Sequence, residues 1–315
     1  MKTKQFTSRL ADGLWDLWCL LSLIGIWPRF IEPNLLVTKR LSLPIKNLSK
    51  EIKIFSFSDL HIHPKMPQWH LDRLIKKVKE EQPDLIFFTG DFICNATLDD
   101  EKRLLAFLNA FPHARYGNFT IPGNHDYASF LGISQEGEYD VITEKKGSSL
   151  IGKGFRRLFF PPPIKGKVTA EAKLTPLHQG LKKLLESTPF RLLDNETVRI
   201  PLADSSLNIC GLGEYTGGQT LPSRAFEEYD RSAPGIILLH NPDGIPLLND
   251  FPGELILCGH THGGQINLPW ICQRLALMEH PHYKRGLIKE KNRWIYISRG
   301  VGAVMRFRWF SLPEI

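Results

Sequence analysis

The sequence is poor in cysteine, and no two of its five cysteines have C-x-x-C spacing. Their odd number and wide scatter argue against a disulfide framework or a thiolate zinc site, so we expect buried, reduced thiols as in a cytosolic compartment. Internal repeats and low-complexity tracts are also missing. At 315 residues the chain can form one large α/β domain or two small ones.

A hydrophobic run long enough to cross a membrane is lacking too. The longest apolar stretch, "LWDLWCLLSLIGIW" at residues 14–27, makes about 21 Å of helix, against a hydrocarbon core of about 30 Å. The following "WPRFIEP" has no small-residue cleavage site, so a removed signal peptide is not expected. Trp15, Trp18 and Trp27 suit the headgroup level. We expect an uncleaved helix lying in the membrane interface; a helix docked on the domain and a true span are the alternatives.

Most of the chain carries little net charge. Residues 1–50 hold eight basic and three acidic side chains, which accounts for five of the seven net positive charges. A nucleic-acid-binding protein would spread its basic surface over the whole domain, whereas a basic arm beside an apolar segment suits an anionic membrane. We therefore predict a membrane-associating segment and linker at residues 1–50, a catalytic domain at 51–315, and no nucleic-acid partner.

Apolar strand-like runs alternate with helical patterns in the first half of the body. The runs "IKIFSFSD", "DLIFFTGD" and "NFTIPGNHD" are separated by helices predicted at residues 69–80 and 101–110, which indicates an α/β layered fold with right-handed crossovers. The second half predicts paired strands and a hairpin turning near Lys291. Residues 128–173 interrupt this rhythm with many glycines and prolines. They are interpreted as an insertion, either a cap over the site or a loosely ordered surface loop.

Polar residues of metal-ligand type follow the apolar strands at five places. Because the carboxyl ends of adjacent strands share one edge in α/β sheets, we expect these side chains to converge. The segments are "SDLHIH" (Asp59, His61), "TGDF" (Asp91), "PGNHDY" (Asn124, His125, Asp126), "LLHNPD" (His240) and "GHTH" (His260, His262).

This order of motifs resembles the calcineurin-like metallophosphoesterases, whose pattern is D-x-H, G-D, G-N-H-[D/E], H and G-H-x-H, over roughly residues 53–302. The resemblance implies a four-layer α/β/β/α sandwich of two mixed sheets flanked by helices, with a dimetal site at the strand ends. It also implies a ligand set. One ion is assigned to Asp59, His61 and His262, the other to Asn124, His240 and His260, and Asp91 bridges both.

The ligand types suit two divalent cations. Imidazoles and carboxylates without cysteine favour borderline ions such as Mn²⁺ or Fe²⁺, and we expect Mn²⁺. Such a pair can clamp the attacking and leaving oxygens of a phosphoryl group, with a metal-bridging hydroxide as nucleophile. In the family the histidine matching His125 faces the scissile phosphate, as leaving-group acid or as charge stabiliser, and we expect Asp126 to orient its imidazole. We expect "GHTH" to be extended, so that His260 and His262 point the same way.

Only a closer resemblance, to one branch of the family, narrows the choice of substrate. "GHTHGGQI" with a late "SRGVG" is similar to the membrane-associated bacterial branch of the family. This implies hydrolysis of the pyrophosphate of UDP-2,3-diacylglucosamine to UMP and 2,3-diacylglucosamine 1-phosphate (lipid X) in lipid A biosynthesis. The enzyme would then sit peripherally on the cytoplasmic face of the bacterial inner membrane, with no obligate protein partner.

Two basic–aromatic segments are compatible with such a substrate. "FRRLFFPPP" (155–163) offers Arg156 and Arg157 as substrate-binding candidates, and "MRFRWF" (305–310) offers Arg306 and Arg308. Both segments could equally pack on the domain, the second as an edge strand. The alternatives for the whole chain are a metallophosphoesterase acting on a soluble phosphodiester or phosphomonoester, and a non-catalytic metal-binding scaffold.

Overall fold

Two stacked β-sheets form the centre of the computed structural model, which describes residues 13, 15–18, 20, 25–48, 50–143, 160–203, 205–267, 277–304 and 307–315. The described strands are β1 (Ile54–Phe57), β2 (Leu85–Phe88), β3 (Asn118–Thr120), β4 (Leu131–Ile133), β5 (Tyr139–Val141), β6 (Phe190–Leu192), β7 (Glu196–Pro201), β8 (Ser206–Gly211), β9 (Gly235–Leu238), β10 (Leu255–Cys258), β11 (Gly286–Glu290) and β12 (Arg293–Ile297). The described α-helices are α1 (Gln68–Glu81), α2 (Glu101–Asn109), α3 (Ala170–Leu174), α4 (Gln179–Leu185) and α5 (Pro222–Ala225).

The first sheet has the order β1–β2–β3–β6, and all its strand pairs are parallel. It is therefore wholly parallel where a mixed sheet was expected. Strand β6 was not predicted, because three residues of "FRL" carry no measurable period. The second sheet, β11–β12–β10–β9–β8–β7, is mixed: β7–β8 and β11–β12 are antiparallel and the central pairs are parallel. The hairpin predicted at Lys291 joins β11 to β12.

Three apolar layers show how the sheets and helices stack. Along β2, Ile86 and Phe88 face a cluster that includes side chains of α1, α2 and α4. Its alternate residues, Leu85 and Phe87, face a second cluster shared with β9 and β10 of the other sheet. A third cluster covers the outer face of the second sheet, with α5 and the 3₁₀ helix Pro242–Leu248. This order of layers confirms the predicted α/β/β/α sandwich.

The described part of the predicted insertion, residues 128–143 and 160–173, contains regular structure. Strands β4 and β5 form an antiparallel hairpin, and α3 follows with Thr169 as its N-cap. A small buried cluster of Tyr127, Leu131 and Ala172 holds this region to the body. Residues 144–159 lie outside the described part.

The N-terminal region begins with an apolar helical stretch. Residues 13, 15–18, 20 and 25–26 are helical. Of the seventeen large apolar side chains that are exposed among the described residues, nine fall between Trp15 and Leu35. Among the described helices there is none whose length and hydropathy would carry it across a bilayer.

Residues 27–37 differ from the predicted linker because they lie against the C-terminal residues 307–315. The backbone N–H of Arg308 donates to Pro28, and Val37 pairs with Glu314 in a parallel bridge. Within this contact Glu32 and Leu36 are buried. We call residues 27–37 together with 307–315 the terminal strap.

Candidate metal centre

The predicted ligands lie where strands of both sheets end, and most of them are in an unusual backbone conformation. Asp59 follows β1, Asp91 follows β2 and His260 follows β10. Their φ angles are 56°, 63° and 68°, in the left-handed region that non-glycine residues seldom occupy. Such a conformation costs of order 1–3 kcal/mol per residue and is concentrated at functional sites. The turn that it makes directs each side chain across the end of the sheets.

Asp91 lies between two histidines that come from opposite sheets. Its Oδ2 is 3.4 Å from Nε2 of His61 and 3.1 Å from Nε2 of His240. Its other oxygen, Oδ1, accepts the backbone N–H of His125 at 2.9 Å. One carboxylate oxygen therefore faces both halves of the site, as a bridging ligand must.

The histidines around Asp91 are held in the tautomer that ligates a metal through Nε2. His240 Nδ1 lies 2.6 Å from the carbonyl of Thr89, and His61 Nδ1 lies 3.3 Å from that of Ile93. When the Nδ1–H groups donate to these carbonyls, the Nε2 lone pairs point into the site. Nε2 of His240 is buried and makes no hydrogen bond within the described structure. Its charged neighbour is Asp91 Oδ2 at 3.1 Å, and a cation at this place would bind both the imidazole nitrogen and the carboxylate oxygen.

The half of the site around His240 also contains Asn124 and His260. Asn124 Oδ1 is 2.8 Å from His260 Nδ1, while its amide donates to the carbonyl of Leu131. Ligand atoms of Asp91, His240 and His260 all lie within 4.8 Å of one another. This half therefore offers three donor atoms and the Asn124 oxygen.

The other half is formed by Asp59, His61 and His262, whose ligand atoms lie within the same limit. His61 Nε2 is 3.0 Å from His262 Nε2, and Asp59 Oδ1 is 3.7 Å from the latter. The segment around His262 is not extended as expected, because φ is 68° at His260 and 49° at His262. The two imidazoles reach different halves through this left-handed turn rather than through strand alternation.

Burial and mutual charge set the protonation of these groups. Burial raises the pKa of Asp59 and lowers that of His260 to about 3. Burial also opposes ionisation of Asp91, but the imidazoles of His240, His125 and His61 outweigh it and hold its pKa well below the usual value. Burial lowers the pKa of His240, but the Asp91 carboxylate outweighs it and holds that pKa well above the usual value. Because a divalent cation binds neutral imidazole and anionic carboxylate, its binding at His240 and Asp59 would displace protons.

His125 is brought into the site, but Asp126 does not orient it. Nδ1 of His125 accepts the backbone N–H of Asn95 at 2.9 Å, a partner that no sequence motif indicated. The carboxylate of Asp126 instead accepts the backbone N–H groups of Asp91, Phe92, Ile93 and Gly123. Burial, together with the nearby Asp91 carboxylate, raises the pKa of Asp126 to about 8. The role predicted for Asp126 was therefore wrong, because its carboxylate holds the loop that carries Asp91 and makes no hydrogen bond with the His125 ring.

Of the predicted substrate-binding arginines, Arg156 and Arg157 lie outside the described residues, as does Arg306. Arg308 is described and is 1% exposed, so it does not offer a surface charge to a headgroup. Its guanidinium donates to the carbonyls of Gly300, Gly302 and Ser311, and Nη2 lies 3.2 Å from His262 Nδ1. Arg308 is buried because three backbone carbonyls, all within eight residues of it in the sequence, accept its N–H groups.

Known proteins are similar to this chain in sequence over almost its whole length. The profile of the calcineurin-like phosphoesterase family matches residues 52–264. The chain is 36% identical to UDP-2,3-diacylglucosamine pyrophosphatase LpxG of Chlamydia trachomatis, over 93% of this chain and 92% of the relative. It is 29% identical to phosphodiesterase YaeI of Escherichia coli, over 89% and 86%. A solved structure, TT1561 of Thermus thermophilus, matches with a TM-score of 0.42 and 11% identity, over 80% of this chain and 91% of that one.

Proposed function

The chain belongs to the calcineurin-like phosphoesterases and is a metal-dependent hydrolase, and on that premise we propose that it cleaves the pyrophosphate of UDP-2,3-diacylglucosamine. The products would be UMP and 2,3-diacylglucosamine 1-phosphate, which places the reaction in lipid A biosynthesis. The observation that carries this proposal is the 36% identity to an enzyme named for this substrate, maintained over 93% of the chain.

The donor set supports a pair of divalent cations. Asp59, His61 and His262 would hold one ion and Asn124, His240 and His260 the other, with Asp91 shared between them. When bound, the ions supply positive charge that acidifies water and neutralises the phosphoryl oxygens. Manganese is proposed because the ligands are imidazoles, carboxylates and one amide without any thiolate.

His125 is proposed to donate a hydrogen bond through Nε2–H and act as a charge stabiliser. Because its Nδ1 accepts the N–H of Asn95, the neutral ring carries its proton on Nε2. The ring packs between His61 and Phe130, with centroids at 4.6 and 4.3 Å, so its orientation is restricted. The neutral Nε2–H can donate a hydrogen bond to a phosphoryl or leaving oxygen and so stabilise the negative charge that develops there, while the proton stays on the ring.

A lipid substrate requires an enzyme that works at a membrane surface. Trp15, Trp18 and Phe30 are each at least 60% exposed, and Phe310 of the terminal strap is 59% exposed. Exposed tryptophans and phenylalanines on a basic segment suit the headgroup region of an anionic bilayer. We therefore include peripheral membrane attachment through residues 1–50 in the proposal. Residues 128–173, with Arg156 and Arg157, are proposed as the cap that meets the substrate.

The test is hydrolysis of the lipid by the purified full chain with Mn²⁺ in mixed micelles, with both products identified by mass spectrometry. We expect UMP and 2,3-diacylglucosamine 1-phosphate in equal amounts. A generic diester, bis(p-nitrophenyl) phosphate, is assayed in parallel because the E. coli relative is named a phosphodiesterase. Turnover of the diester without the lipid would contradict the proposed substrate and favour a soluble phosphoester.

A further inference from the structure

The terminal strap contacts the half of the metal centre that contains His262. Ser311 Oγ donates to the carbonyl of His262 at 2.6 Å, and Arg308 Nη2 lies 3.2 Å from Nδ1 of the same residue. Trp309 pairs with Ile266, just beyond this histidine. Gly263 allows the close approach, because its φ is 61° and a Cβ there would lie 2.7 Å from Ser311 Oγ. One short C-terminal segment therefore fixes both the backbone and the ring of a predicted ligand.

The same strap also supports Asp59, the second predicted ligand of this half. Arg308 donates to the carbonyls of Gly300 and Gly302. The backbone N–H of Gly302 in turn donates to the carbonyl of Asp59 at 2.8 Å. Arg308 is thus a link between the loop behind Asp59 and the loop that carries His262.

Glu32 holds the C-terminal part of the strap in place. It is 1% exposed although it belongs to the N-terminal region, and its carboxylate accepts three N–H groups. Oε1 accepts the backbone N–H of Ser311, while Oε2 accepts those of Phe310 at 3.0 Å and of the Trp27 indole at 2.8 Å. A buried carboxylate with three donors is strongly tied to its place, because each charge-assisted bond is stronger than a neutral one.

We propose that Glu32 is a positioning residue of the metal centre, acting through Ser311 and Arg308 on the half that holds Asp59 and His262. The inference rests on the metal centre of the proposed function and not on its substrate. It gives the N-terminal region a role inside the site: the residues that follow the apolar helix complete the support of one metal-binding half. The half around Asn124 and His240 is supported instead by the carbonyls of Leu131 and Thr89.

The test compares Glu32→Gln and Ser311→Ala with a matched control, Glu81→Gln. Glu81 also ties the N-terminal region to the body, through Arg40 and Lys53, but it lies on α1. In Glu32→Gln the amide keeps one acceptor and directs N–H groups at the N–H donors. In Ser311→Ala only the bond to His262 is lost. Mn²⁺ binding to the metal-free full chain is measured by titration calorimetry and by electron paramagnetic resonance, with thermal midpoints recorded.

We expect wild type to bind two ions and to show a coupled dinuclear signal. Glu32→Gln should weaken one ion about 10- to 100-fold, the usual effect of losing an outer-shell partner, and leave the other within twofold. Ser311→Ala should weaken the same ion less, and Glu81→Gln should change neither. The weakened ion is identified by reference variants, since His262→Ala should remove the same ion and His240→Ala the other.

A merely structural role would look different. If Glu32→Gln lowered the thermal midpoint but left both metal affinities unchanged, or weakened both ions equally, the inference would be overturned. Wild type without any Mn²⁺ binding would overturn it together with the metal centre. Wild type that binds two ions but does not hydrolyse the lipid would refute only the proposed substrate, because the selective loss in Glu32→Gln is measured without substrate.

Discussion

The two halves of the candidate metal centre are supported in different ways. Around His240, support comes from backbone at the strand ends: the carbonyl of Thr89 fixes the imidazole and that of Leu131 fixes Asn124. Around His262, support comes from the side chains of Arg308 and Ser311, which belong to the far end of the chain. Each half combines buried ligands with one half-buried histidine, His260 in the first half and His262 in the second.

The two kinds of support depend on the sequence to different extents. The carbonyl of Thr89 lies at a sheet edge and is present in any sequence that forms the two sheets, whereas the carbonyl of Leu131 is supplied by the β4–β5 hairpin of the insertion. Buried side chains such as Arg308 must be supplied by a particular sequence. A half supported in this way can vary between members of one family, and it can be loosened without disturbing the sheets.

The largest effect is expected from Asp91→Ala, which should impair metal binding in both halves because Asp91 Oδ2 faces both. Losing the charge stabilisation of two cations costs on the order of 6 kcal/mol, a loss of about 10⁴-fold in turnover. Diester hydrolysis and bound metal are measured against Asp99→Ala, which changes an exposed carboxylate on the following loop. A tenth of wild-type activity in Asp91→Ala would contradict the bridging role.

His125→Asn should separate chemistry from metal binding in both halves. The variant removes the Nε2–H hydrogen-bond donor but none of the seven proposed ligands. We expect kcat to fall about 10³-fold, the upper end for losing one donor to a developing oxyanion, while both ions remain bound. The exposed His113→Asn is the control, expected to behave as wild type. Loss of an ion in His125→Asn would show instead that this histidine is a ligand.

Much of the fold and of the ligand set could be predicted because each relevant feature is local in the sequence. Strand β2 is a continuous apolar run ending at Asp91, and α1 has apolar side chains at i, i+3, i+4 and i+7. The motifs at Asp59, Asn124 and His260 each follow such a run. Local periodicity and strand-end position therefore predicted the layered α/β fold and the convergence of the ligands, whereas the four-layer sandwich and the division of the ligands between two ions came from the family resemblance.

The supporting contacts could not be predicted because they join residues far apart in the chain. Glu32 and Ser311 are 279 residues apart, and nothing near either residue marks it as buried. Arg308 lies among aromatic side chains, so its sequence suggested a surface role, while its partners are carbonyls that no residue type encodes. Asp126 was misassigned for the same reason. Its carboxylate accepts backbone N–H groups from the distant loop that carries Asp91.

Gly302→Ala tests how closely the loop behind Asp59 must pack. A Cβ at this position would lie 1.9 Å from the carbonyl oxygen of Leu60, which is backbone and cannot move away freely. We expect the free energy of unfolding to fall by about 3 kcal/mol, at the upper end for overpacking. Gly25→Ala is the control, since its Cβ would meet nothing within 4 Å. Urea denaturation measures both, and equal stability of the two variants would contradict close packing at Gly302.

The smallest effect is expected from Trp15→Ser, which separates membrane docking from support of the metal centre. The exposed indole lies 17 residues before Glu32, and none of the described contacts of the strap uses it. Removing a large apolar side chain from the interface costs about 1.5 kcal/mol, so partition onto anionic vesicles should weaken about 10-fold. Mn²⁺ affinity should not change.

The control for that variant is Leu247→Ser, because Leu247 is also exposed but lies on the outer layer of the second sheet. Sedimentation with phosphatidylglycerol vesicles should show wild-type partition for Leu247→Ser and reduced partition for Trp15→Ser. If Trp15→Ser bound vesicles normally, attachment through the apolar helix would be contradicted. If Trp15→Ser also weakened Mn²⁺ binding at the His262 half, the apolar helix itself would belong to the support of the site. The residues that support the metal centre would then begin near residue 15 instead of residue 27.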